Sequence, residues 1–181
     1  MDLLLALTLV PLAIALAFGY VLLGGFLSGA GYQPTPRGNL ETMIEFSKPD
    51  EHKKVYDLGS GFGRIVIEVA SRFHSTCVGV EVDPLKVWWS NRAIRSRGLE
   101  ANARVVRGNL LDVDISDADI VYVFLWEGIM QKLKDKALRE MKPGRVIVSY
   151  YHRFNGWQPE REEKHQRIYL YRVPARPATT V

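Results

Sequence analysis

Tyr56-Asp57-Leu58-Gly59-Ser60-Gly61-Phe62-Gly63-Arg64 is the stretch that decides the fold. Before it, Lys53 to Leu58 is of strand length, with Val55, Tyr56 and Leu58 apolar; after it, Arg64 to Phe73 carries apolar residues at helical spacing. The glycines at 59, 61 and 63 therefore fall where a strand gives way to a helix. Such a turn takes backbone dihedrals that glycine adopts at little cost, and it lets a ligand approach the main chain with no Cβ in the way. The bend is expected to expose main-chain amides to that ligand.

Outward from this turn the pattern alternates. A strand is expected at Thr76 to Val82, then a helix from Pro84 to Arg97, with Pro84 in its first turn and Gly98 closing it. Strands follow at Ala103 to Arg107 and Asp119 to Leu125, then a helix from Glu127 to Met141 and a strand at Arg145 to Tyr150. Upstream, Leu40, Met43, Ile44 and Phe46 mark a short helix with Asn39 as its N-cap. After Tyr150 the rule breaks: Asn155-Gly156-Trp157-Gln158-Pro159 is turn-like, no helical periodicity follows, and the last strand spans Gln166 to Val173. The fold class expected is α/β, a Rossmann-like, mostly parallel sheet finished by a C-terminal antiparallel hairpin.

The chain has 181 residues, enough for one domain, and Leu3 to Leu27 contains no charged side chain. Twenty-five helical residues would span roughly 37 Å, more than a bilayer core of roughly 30 Å. One N-terminal transmembrane helix is therefore expected, in preference to a signal peptide, because no Lys or Arg precedes the run. The organisation expected is an anchor and linker at 1–36, a folded domain at 37–173 and a disordered tail at 174–181. All 24 Lys and Arg, and 19 of the 20 acids, lie from residue 37 onward, so the domain carries a net charge of +5 with His neutral. Cations on that flank place the domain on the cytoplasmic side of a membrane. The excess suits an anionic lipid surface but is too scattered to argue for nucleic acid. Cys77, the single cysteine, sits in an apolar run and reads as a buried strand thiol. His52, His74, His152 and His165 are isolated, so no metal site is expected.

In the dinucleotide fingerprint the third glycine follows the second by three residues, which here is Arg64; in this chain it follows by two, at Gly63. That spacing favours a methyltransferase loop. Glu81 ends the second strand, 18 residues beyond Gly63, where an acid can bond ribose hydroxyls. Asn109, after the third strand, reads equally as a contact to an adenine edge or as a turn former.

Asp57, Gly59, Gly61, Gly63 and Glu81 at these spacings resemble the class I S-adenosylmethionine-dependent methyltransferases, over Lys53 to Val173. With Pro34-Thr35-Pro36, Gly108-Asn109 and Gly156-Trp157 added, the order resembles the small archaeal protein-lysine methyltransferases and their membrane-anchored mitochondrial relatives. Phe62 stands where those proteins carry Asp. The resemblance implies S-adenosylmethionine held by Asp57, Gly59, Ser60, Gly61, Gly63, Glu81 and Asn109, and a protein substrate, membrane proteins among the candidates, presenting a lysine ε-amine. By the topological rule the acceptor side is lined from Phe124, Leu125, Trp126, Glu127, Tyr150, Tyr151 and His152, with Pro34, Thr35, Pro36 and Trp157 as a lid. Core packing, a hairpin surface and a stiff linker explain the same residues. No catalytic residue is assigned, since an in-line methyl transfer chiefly needs positioning. An anchored domain fits a lipid or other small hydrophobic acceptor equally well, and Phe62 leaves open a catalytically inactive cofactor-binding module.

Overall fold

The structure, a computed structural model, describes residues 8–13, 15, 19 and 34–175. The chain divides into two compact units, Met1–Gln33 and Pro34–Val181. In the first, residues 8–13, 15 and 19 are helical, and Leu9, Val10 and Leu12 are exposed. The transmembrane helix expected at Leu3 to Leu27 is not supported: among the described residues no helix is long and apolar enough to cross a membrane. The remainder of that stretch, the linker at 28–33 and the tail from 176 onward lie outside the described residues.

In the second unit, helix α1 (Arg37–Ser47) precedes strand β1 (Lys54–Leu58), followed by α2 (Arg64–Phe73), β2 (Thr76–Glu81), α3 (Pro84–Arg95) and β3 (Ala103–Arg107). Strand β4 (Ile120–Val123), α4 (Glu127–Glu140), β5 (Val146–Tyr150), β6 (Arg161–Glu163) and β7 (Ile168–Arg172) complete it. The strands form one sheet in the order β3-β2-β1-β4-β5-β7-β6. The first five are mutually parallel, and β7 runs antiparallel to both β5 and β6. The expected Rossmann-like sheet and antiparallel finish are present. The order reverses at β1, whose neighbours are β2 and β4, and in open α/β sheets ligands bind beyond the carboxyl ends of the strands at such a point.

Two local expectations need correction. Helix α1 starts at Arg37 rather than behind Asn39: Pro36, extended at ψ 150°, leads in, and its carbonyl accepts the first helical bond from Leu40 N–H at 3.0 Å. Strand β6 has no counterpart in the sequence reading because Arg161-Glu162-Glu163 shows no apolar alternation; it is a short, charged edge strand, the kind that discourages further pairing. Helix α3 starts as expected, with Asp83 as N-cap accepting from Leu85 N–H at 2.9 Å and Pro84 in the first turn.

Apolar side chains fill both faces of the sheet. On one, Val55, Cys77, Val105, Tyr122 and Val148 pack under α1, α2 and α3 through Met43, Ile44, Val66, Val69 and Ile94. On the other, Leu58, Val80, Val123 and Ile147 pack against Met130, Leu133 and Ala137 of α4 and against Ile115 and Ala118 from the loop before β4. Cys77 is buried as expected; burial first, then the negative charge of Asp57, pushes its thiol up to about 12.

Candidate active site

The turn after β1 has Gly59, Gly61 and Gly63 at φ +85°, +54° and +72°, all left-handed, which explains why glycine stands at each. Two of them also meet a neighbour closely. A Cβ on Gly59 would lie 3.0 Å from Leu125 Cδ2, and one on Gly63 3.0 Å from Ser90 Cβ. Contrary to expectation, the bend is not a nest of exposed amides. Gly59 and Ser60 N–H both donate to Val80 O, at 2.9 and 3.0 Å, and Gly63 N–H donates to Ser60 O at 2.8 Å. Gly61 N–H donates to Glu81 Oε2 at 2.9 Å. The turn therefore offers a ligand a bare, rigid backbone surface rather than a row of donors.

Glu81 is the second fixture. It is 8% exposed, and its two oxygens accept from the main chain of Gly61 and, at 3.0 Å, of Asp83. A carboxylate has about four acceptor directions, so two are left to receive ribose hydroxyls. The fit to S-adenosylmethionine rests on this acid, held against the glycine turn at the switch point. Asp57 lies on the same strand register as Gly79 and Tyr122 and is 5% exposed. Burial first, and the charge of Glu81 second, raise its carboxyl to about 7.

Other candidates sit differently. Ser60 Oγ is buried without a hydrogen-bond partner among the described residues. It wedges beneath the turn, 2.7 Å from where a Cβ on Gly79 would be. Asn109 is exposed, and its Oδ1 accepts from Leu111 N–H at 3.1 Å, the turn-forming role, which leaves its amide nitrogen for an adenine edge. Thr35 is buried between exposed Pro34 and Pro36, and its carbonyl accepts from Arg64 Nη1 at 2.7 Å, so this segment lies at the exit of the glycine turn. Tyr151 joins Phe124, Tyr150 and His152 in an aromatic group at the carboxyl ends of β4 and β5. Trp157 stays apart from that group, its ring contacts being with Phe154 and Tyr171 in the layer under α4. Exposed Phe62, 44% accessible, does not fill the turn.

Sequence reasoning missed Arg64, which ties Thr35, and Ser90, whose single Oγ–H is shared between Lys86 O at 2.7 Å and Gly61 O at 3.2 Å. A serine on the apolar face of α3 was the available signal. The approach of Leu125 to Gly59, and the place of Arg167 beside Tyr151, were visible only once the chain was folded.

A glycine turn gripped by a buried acid at the switch point of a 3-2-1-4-5-7-6 sheet defines a domain of the S-adenosylmethionine-dependent methyltransferase class. The model of the ANTKMT methyltransferase domain matches residues 57–161. A protein-lysine N-methyltransferase of Saccharolobus islandicus is 36% identical over 147 residues, covering 77% of this chain and 91% of that protein. The adenine nucleotide translocase lysine N-methyltransferase of Mus musculus is 33% identical over 106 residues, covering 59% of this chain and only 46% of that protein. Among solved structures, an RNA methyltransferase from Salinibacter ruber in complex with S-adenosyl-L-homocysteine superposes with a TM-score of 0.77 at 31% identity, over 81% of this chain and 97% of that one. The chain belongs to the ANTKMT methyltransferase family.

Proposed function

We propose that this enzyme methylates the ε-amine of lysine side chains in protein. The observation that carries the reading is the Saccharolobus islandicus protein-lysine N-methyltransferase, similar along 91% of its length. When bound, S-adenosylmethionine supplies a methyl group on a sulfonium. Glu81 receives the ribose, the Gly59–Gly63 turn lets the cofactor lie against bare backbone, and Leu125 packs on that turn. The side chains of Phe124, Tyr150 and Tyr151 line the adjoining strand ends and hold water away from the acceptor. An unperturbed lysine has a pKa of about 10.4, so a drier setting that favours the neutral amine is what an acceptor needs.

The test is transfer of labelled methyl to a cell extract from which the enzyme's gene has been removed, followed by hydrolysis of each fraction. Label recovered as methylated lysine supports the proposal. Label confined to RNA, the acceptor class named for the Salinibacter ruber protein, or to lipid overturns it.

A further inference from the structure

Three aromatic rings meet at the carboxyl ends of β4 and β5. Phe124 and Tyr150 have centroids 4.5 Å apart at 57°, Phe124 and Tyr151 6.5 Å at 49°, and Tyr150 and Tyr151 6.2 Å at 78°. Inclinations of this size make walls, not a stack. Phe124 and Tyr150 are half-buried, while Tyr151 is 44% exposed, so the group opens to solvent on one side. Leu125, which follows Phe124 in the chain, is the residue that approaches Gly59, so the segment that carries Phe124 leads directly to the cofactor turn.

The backbone here is unusual. Tyr151 has φ +77° and Arg167 φ +54°, two of the four non-glycine residues with positive φ among those described. They face each other, with Tyr151 N–H donating to Arg167 O at 2.7 Å. Left-handed backbone is rare for a bulky residue and gathers where a side chain must be aimed. The result is that the Arg167 guanidinium carbon lies 4.3 Å from the centre of the Tyr151 ring. Arg167 makes no ion pair with a carboxylate among the described residues. A cation rests on this ring with no acid to hold it there, so the ring itself is the attraction.

We propose that Phe124, Tyr150 and Tyr151 form a cage for an alkylammonium group, that Arg167, stacked on the Tyr151 ring, covers that wall of it, and that the substrate cation displaces Arg167 from the Tyr151 face on binding. The inference rests on the lysine reading above, because a lysine nitrogen arrives as an ammonium and leaves as a methylated one. Ring faces attract such a cation through their quadrupole, an attraction that a neutral group of the same shape does not have.

Choline and its uncharged carbon isostere, neohexyl alcohol, are titrated calorimetrically into the full chain. Choline is expected to bind and the alcohol to bind at least several-fold more weakly. Tyr151→Ala should weaken choline roughly tenfold, and Tyr151→Phe, which keeps the ring, should restore it. Arg167→Ala, at an exposed turn and so independent of whether Tyr151→Ala folds, should tighten choline several-fold, roughly the cost of displacing one stacked cation. Equal binding of the alcohol, unchanged choline binding in Tyr151→Ala, or weaker binding in Arg167→Ala would each overturn the cage. If choline binds as expected but no methylated lysine is ever found, the cage stands and the lysine acceptor falls. If lysine is methylated and choline fails to bind, only the cage falls.

Discussion

Glu81 shows how one side chain joins structure to function in this enzyme. Its carboxylate closes the glycine turn through Gly61 and caps the start of the next loop through Asp83. Glu81→Gln keeps the shape but removes the charge from two hydrogen bonds and from the place where ribose hydroxyls donate. Bonds to a charged group contribute about 1.5–3 kcal/mol, so affinity for S-adenosyl-L-homocysteine should fall roughly ten- to hundredfold, measured by calorimetric titration. An unchanged affinity would remove Glu81 from the cofactor site. This acid was legible in the sequence, because strand ends and glycine spacing are local signals. Its bond to Gly61 was not, since no pattern in the chain reports which way a side chain at position 81 turns, and the same holds for the long-range tie from Arg64 to Thr35.

At the scale of elements, β1, α2, β2 and α3 are held to one another by positions without side chains. Gly79 in β2 is the tightest: an added Cβ would meet Ser60 Oγ at 2.7 Å and Val105 Cγ2 at 2.9 Å. Gly79→Ala should cost about 1–3 kcal/mol as overpacking, read from urea midpoints. Ser60→Gly in the same chain should recover part of the loss and leave the part due to Val105. Full additivity of the two changes would show that they do not touch. The sequence indicated β1 to α4 to within a few residues because their apolar periodicity is strong. It did not reveal β6, whose Arg161-Glu162-Glu163 pairs through backbone alone, and it placed Trp157 at the site although the ring packs under α4 with Tyr171. The apolar run at Leu3 to Leu27 met the hydropathy rule for a span, yet among the described residues no helix is long and apolar enough to cross a membrane.

For the whole molecule, two acids, Asp57 buried and Glu140 half-buried, pull stability in opposite directions with pH. The carboxyl of Asp57 is raised from 3.8 to about 7, so its contribution is complete below about 4 and is lost as pH rises through 7. Burial opposes ionisation of Glu140, but its bonds to Lys136, at 2.6 Å, and to Arg139 prevail and hold it below 4.5. The stability due to Glu140 is therefore complete above its unfolded value and is lost as pH falls through its folded one. Stability of the wild type should peak in mildly acidic solution, at about pH 5. Asp57→Asn should move that peak upward and raise the urea midpoint at pH 8, whereas identical pH profiles for the two proteins would show that Asp57 titrates normally.

Cys77 makes the molecule its own clock. Only a thiolate attacks a disulfide reagent, and this sulfur is walled in at the centre of the sheet with its proton retained to about pH 12. An aromatic disulfide dye should leave the native protein colourless and turn over once per chain in urea. With dye in excess, the colour should develop at a speed set by how often the strands around position 77 come apart, which counts excursions of the fold without any ligand or label.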